Sequence, residues 1–137
     1  MNPPAIELLL VEDDAVDAQM FRRSAKRHGL DYPIHHAEEG EQALAMLRGL
    51  RGCWPLVFLD VNMPGVNGHE FLKAVREDEA LRGTVVFMLT TSCHDRDVRQ
   101  AYERNAAGYF RKERLDDLME AIKHYAPSVQ RPAAVAV

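Results

Sequence analysis

An open parallel α/β sheet is the fold class that this sequence predicts, on three observations. Short apolar, β-branched runs alternate with stretches of helical period five times along the chain. The clearest run, Leu56-Val57-Phe58-Leu59, is apolar throughout, as a strand covered by helices on both faces must be. The chain has 137 residues, 47% of them hydrophobic and 28% charged, which suits one domain with a real core and leaves no room for a second.

The elements follow in order. Ile6 to Val11 is the first strand and ends abruptly at Glu12-Asp13-Asp14. The next helix sets Ala18, Phe21, Ala25 and His28 on one face at spacings of three and four, and Gly29 stops it. A weak strand, Ile34 to Ala37, leads into a helix from Glu39 to Arg48 whose core face is Ala43, Met46, Leu47 and Leu50, with Gly49 and Gly52 marking the exit. The third strand, Leu56 to Leu59, ends at Asp60, after which Asn62-Met63-Pro64-Gly65 breaks the chain. Phe71, Leu72 and Val75 mark a short helix, Val85 to Leu89 the fourth strand, and Val98, Ala101 and Tyr102 the helix after it. Gly108 to Arg111 is the fifth strand, the least strand-like in composition. Leu115, Leu118, Met119, Ile122 and Tyr125 repeat at helical spacing, and Pro127 is expected to end that helix. Residues 127–137 read as a tail or a dimerisation arm, with no output domain attached to the domain at residues 1–126.

Several function classes are excluded at once. Seventeen basic against twenty-one acidic residues give a net charge of −4, no electrostatic footprint for nucleic acid or an anionic membrane. The longest apolar runs fall far short of the roughly 20 residues that cross a bilayer, and no secretory signal opens the chain, so a cytoplasmic protein is expected. Cys53 and Cys93 have no ligand spacing and read as free thiols.

Ligands of open parallel sheets bind beyond the carboxyl ends of the strands. There the first strand delivers Glu12 and Asp13, the third Asp60, the fourth Thr90 and the fifth Lys112. Three carboxylates brought together repel one another unless a cation sits among them, and hard oxygen ligands favour Mg²⁺, which also binds phosphate oxygens. An Asp carboxylate can accept a phosphoryl group as a nucleophile, while a hydroxyl such as Thr90 and a point charge such as Lys112 can bind its oxygens. Each group also has an ordinary reading: Asp13 or, better placed, Asp14 as a helix cap, Asp60 as a turn former, Lys112 as a solvated charge, Thr90 as a plain strand end. Independent ordinary roles would not put all five at successive strand ends.

The segments Leu8 to Asp14, Phe58 to Gly68, Met88 to Ser92 and Gly108 to Lys112 resemble the receiver domain of two-component response regulators, over about residues 5 to 126. The D-x-N-M-P-G-x-x-G block from Asp60 to Gly68 carries most of that resemblance. It implies a flavodoxin-like (βα)5 doubly wound parallel sheet of strand order 2-1-3-4-5. It also implies that Asp60 is the phosphoacceptor, with Mg²⁺, or Mn²⁺ or Ca²⁺ in its place, held by Glu12, Asp13, Asp60 and the backbone carbonyl of Asn62. Thr90 would be the switch hydroxyl, Tyr109 the aromatic that turns with it, Lys112 the phosphate-binding cation, and Asn62 and Ser92 would tune dephosphorylation. The implied protein is no enzyme beyond its own phosphoryl transfer and dephosphorylation. Its partners would be a sensor histidine kinase and a downstream protein.

Most receivers follow the lysine with proline, and here Glu113 follows Lys112. Without that proline a cis bond is not expected, and the loop into the last helix should take a different path. The run Leu89-Thr90-Thr91-Ser92, the polar segment from Cys93 to Asp97 and the missing proline together resemble stand-alone regulators partnered with bacterial phytochrome kinases, which tend to be homodimers. None of the six histidines is placed to be a phosphodonor, and the adjacent His35 and His36 point to opposite faces of their strand. Three other readings share the architecture: a flavodoxin-like cofactor carrier, whose phosphate Glu12-Asp13-Asp14 would repel; an aspartate-nucleophile phosphatase, which needs a D-x-D pair after the first strand; and a phosphorylation-independent adaptor.

Overall fold

Alternation along the strands sorts the core into two layers. The computed structural model describes residues 5–50, 52–61, 67–91 and 95–129. Its strands are β1 (Ile6–Val11), β2 (Ile34–Ala37), β3 (Trp54–Asp60), β4 (Val85–Thr90) and β5 (Gly108–Arg111). They pair in parallel in the order β2-β1-β3-β4-β5, as the resemblance implied. Between and after them come α1 (Ala15–Arg27), α2 (Gly40–Gly49), α3 (Gly68–Glu77), α4 (Asp95–Glu103) and α5 (Leu115–Val129), the last entered through a 3₁₀ turn at Lys112–Arg114.

Even-numbered residues of β1 and β3 (Leu8, Leu10, Leu56, Phe58) and odd-numbered residues of β4 (Phe87, Leu89) pack under α1 and α5 against Phe21, Leu118 and Ile122. Their neighbours Leu9, Val11, Val57, Leu59, Val86 and Met88 face α2 and α3 through Leu47, Phe71 and Val75. Aromatic rings pin the first layer: Phe58 stacks on Phe87 at 5.4 Å, and Phe21 tilts onto Phe58 at 5.0 Å.

Sequence rules explain the helix ends. Asp14 caps α1 by accepting from the amides of Val16 and Asp17, and Gly29 (φ +74°) closes it with Leu30 N–H reaching Ala25 O and Gly29 N–H reaching Lys26 O. Asn105 (φ 60°) ends α4 in the same way, its amide bonding Tyr102 O and that of Ala106 bonding Ala101 O.

Two boundaries differ from expectation. β3 starts at Trp54, two residues early, because Pro55 pairs only with β1; pairing to β4 begins at Leu56, so the missing amide interrupts nothing there. α5 runs through Pro127 to Val129 rather than ending at the proline. Proline's fixed φ is that of a helix, and the backbone runs on for two residues past it. The 3₁₀ turn at Lys112–Arg114 is the path taken where Glu113 follows the lysine, and no described peptide bond is cis. Among the described residues no helix is long and apolar enough to cross a membrane.

Candidate functional site

Pleat parity and strand order together build the site at the carboxyl edge of the sheet. Glu12 follows β1 and Asp60 closes β3, both on the side of α1 and α5, and both are buried, at 2% and 3% exposure. Asp13, exposed, completes the group: one carboxylate oxygen from each of the three residues lies within 4.8 Å of the others. Lys112, just past β5, reaches back over β4 and β3. Its Nζ lies 2.8 Å from Glu12 Oε2, 2.8 Å from Asp17 Oδ2 and 3.3 Å from Asp60 Oδ2.

These contacts set the electrostatics. Burial, with the Asp60 charge close by, pushes the Glu12 carboxyl up to about 7, although Lys112 and the Asp14 amide pull it down. Burial alone would lower the Lys112 ammonium, but the carboxylates of Asp17, Glu12 and Asp60 more than reverse that and hold it above the ordinary lysine range. Three carboxylates therefore share one ammonium, a fourth, Asp13, stands beside Glu12 and Asp60, and among the described residues the group is short of positive charge. Hard oxygen donors with that deficit fit a divalent cation, which Glu12, Asp13 and Asp60 would hold.

Thr90 ends β4 at 1% exposure, one position beyond Leu89, the register partner of Asp60. Tyr109, half-buried, pairs with Met88 in the adjacent strand and packs on the α2 and α3 layer, the face that Thr90 shares by parity. Asn62, Ser92 and Cys93 lie outside the described residues.

Two supports of the site are not singled out by the sequence. Gly68 begins α3 so close to β3 that a Cβ there would sit 2.7 Å from both the Asp60 carbonyl oxygen and the Val61 Cα. Its place at the end of the D-x-N-M-P-G-x-x-G block is the signal that could have found it. Asp17 is the other: an acidic residue in the first turn of a helix has a sufficient local reason to be there, in the helix dipole, and that hides its partner 95 residues away. Among the described residues, the adjacent His35 and His36 bond different partners. His35 Nε2 meets Glu7 Oε1 at 2.7 Å, while His36 Nε2 donates to the Glu12 carbonyl at 2.7 Å and steadies the end of β1. A cavity of about 340 Å³ lined by Leu47, Cys53, Trp54 and Leu81 opens at the opposite edge of the sheet and contains none of these carboxylates.

Fold and site define a flavodoxin-like α/β protein with an acidic, cation-seeking cluster beside a half-buried lysine. The chain belongs to the response regulator receiver domain family, whose model matches residues 8–123. It is similar to the probable methanogenesis regulatory protein FilR2 of Methanothrix harundinacea, 37% identical over 126 residues that cover 86% of this chain and 81% of the relative. It is also similar to the response regulator Rcp1 of Synechocystis, 32% identical with 97% of both chains covered. The solved Mn²⁺-bound form of Rcp1 superposes with a TM-score of 0.72 at 28% identity, covering 88% of this chain and 92% of that one. The bacteriophytochrome response regulator AtBRR does so with a TM-score of 0.71 at 30% identity, covering 80% and 84%.

Proposed function

We propose that this chain is a phosphoryl-accepting signalling switch in which Asp60 takes a phosphoryl group from the histidine of a sensor kinase. The observation that carries the reading is the convergence of Glu12, Asp13 and Asp60 beside Lys112, drawn from three separate strand ends. A carboxylate oxygen of Asp60 attacks phosphorus, the P–N bond to the donor imidazole breaks, and an acyl phosphate forms. Glu12 and Asp13 would hold Mg²⁺, with Mn²⁺ or Ca²⁺ able to substitute, and a bound cation would offset negative charge on the transferred group. Lys112 binds a phosphoryl oxygen as a point charge. The chemistry is positioning and electrostatics, and the protein turns over nothing except its own phosphoryl group.

The acyl phosphate then biases a two-state element. Its charged oxygens draw Thr90 and Lys112 inward, and Tyr109 turns toward the space that Thr90 leaves, altering the surface near α4 and α5. The shared face of Thr90 and Tyr109 supports that coupling. Output is a contact with a downstream protein in the cytoplasm, and the chain acts as a homodimer. Similarity to the bacteriophytochrome response regulator AtBRR supports a phytochrome-type kinase as donor. The test is transfer of labelled phosphate from a panel of histidine kinases to wild type and to Asp60→Asn. Wild type is expected to be labelled fastest by a photoreceptor kinase, and the folded variant not at all; label on Asp60→Asn would refute the assignment.

A further inference from the structure

The Lys112 ammonium has three N–H donors, and three carboxylates are in reach of them: Glu12 and Asp17 at 2.8 Å and Asp60 at 3.3 Å. The three do not play equal parts in the reaction proposed above, on which this inference rests. Glu12 belongs to the group that would hold the cation, and Asp60 is converted to an acyl phosphate, losing its carboxylate charge. Asp17 belongs to neither and keeps its charge throughout. Its backbone is fixed, because its amide and that of Val16 both donate to the Asp14 cap. Asp17 and Lys112 also border a cavity of about 230 Å³ walled by Leu10, Phe21, Leu89 and Leu115, whose apolar surface strengthens an ion pair that is itself only partly exposed.

A lysine side chain has four carbons and several rotamers, and Lys112 springs from a 3₁₀ turn rather than from the sheet. We propose that Asp17 is a positioning residue, whose carboxylate anchors Lys112 from the first turn of α1 so that the ammonium stays beside Asp60 through phosphorylation. The N–H that points to Asp60 Oδ2 then passes to a phosphoryl oxygen by a small rotation about the Nζ bond, with no search by the whole side chain. The side chain pays its ordering entropy on folding rather than at each transfer.

The experiment measures the first-order rate of phosphorylation by acetyl phosphate in Mg²⁺. A small donor avoids any effect of α1 substitutions on kinase docking. Wild type, Asp17→Asn, Asp17→Glu, Lys112→Met and the double variant Asp17→Asn/Lys112→Met are compared. Loss of one charged hydrogen bond should slow Asp17→Asn by about tenfold, and Asp17→Glu, which keeps the charge, should recover much of the rate. In the Lys112→Met background Asp17→Asn should add nothing, because its effect runs through the lysine. A loss that persists undiminished in that background would mark Asp17 as a merely structural residue and overturn the proposal. So would a wild-type rate, or a faster one, in Asp17→Asn, the last meaning that Asp17 holds the lysine back. Wild type that takes up no phosphoryl group would overturn the proposed function and this inference with it.

Discussion

Replacing Gly68 by alanine tests how tightly the start of α3 is held against Asp60. The added Cβ would lie 2.7 Å from the Asp60 carbonyl oxygen and from the Val61 Cα, where ordinary contact begins near 3.4 Å. Both obstacles are backbone, so no side chain can swing away, and the helix start must retreat by about 0.7 Å relative to β3. The retreat strains the Gly68 N–H to Val61 O bond, 3.1 Å long, that ties α3 to the strand. Overpacking of this kind costs about 1–3 kcal/mol, of which the better helix propensity of alanine returns a fraction at a first-turn position. A net loss of about 1–2 kcal/mol lowers the melting temperature of a domain this size by about 3–8 °C. Urea unfolding and calorimetry of Gly68→Ala measure it. Gly83→Ala is the control, since nothing lies within 4 Å of its Cβ, and it should stay within about 0.5 kcal/mol of wild type. Gly68→Ala also moves the Asp60 backbone, so phosphorylation by acetyl phosphate should slow. Equal stability of the two variants would refute the close-approach argument.

Two further outcomes concern pH. Glu12 is held up to about 7 in the folded chain against an ordinary value near 4.5, so the folded state binds the extra proton between them; without divalent cation, stability should fall as pH rises from 4.5 through 7, by no more than about 3 kcal/mol. Saturating Mg²⁺ favours the ionised carboxylate and should flatten that slope in wild type but not in Asp13→Ala, as unfolding measured across the range would show; a slope unaffected by Mg²⁺ in wild type would count against the cation site. Asp116 behaves in the opposite sense. Hydrogen bonds from Arg27 first, then Ser24 and His28, hold its carboxyl at about 2, so its stabilisation is complete above its ordinary value of 3.8 and disappears as pH falls through 2. The advantage of wild type over Asp116→Asn should therefore shrink across that acid range and in high salt, both partners being exposed. An advantage independent of both would rule out the charge explanation.

The strands and helices were legible because their signals are local. A period of two or of 3.6, a capping Asp14 and a left-handed Gly29 each act within a few residues, and the structure shows them doing so. The acidic site was legible for a related reason: a parallel sheet puts every strand's last residue on one edge, so Glu12, Asp13, Asp60, Thr90 and Lys112 could be placed from strand ends alone. The end of α5 was misjudged, since Pro127 reads as a stop when its neighbours are ignored and is accommodated in a last turn.

By itself, then, the amino-acid sequence determined the order of elements, the two-faced core and which side chains reach the carboxyl edge. Tertiary structure alone decided how those side chains share their charges. Asp17 meets Lys112 across 95 positions, and Ser24, Arg27 and His28 meet Asp116 across about 90. The backbone of Gly68 meets that of Asp60 only because α3 turns back over β3. Such contacts have no period and no local preference to announce them. They depend on distances of a few ångströms that are fixed only when α1 and α5 have packed on the same face of the sheet.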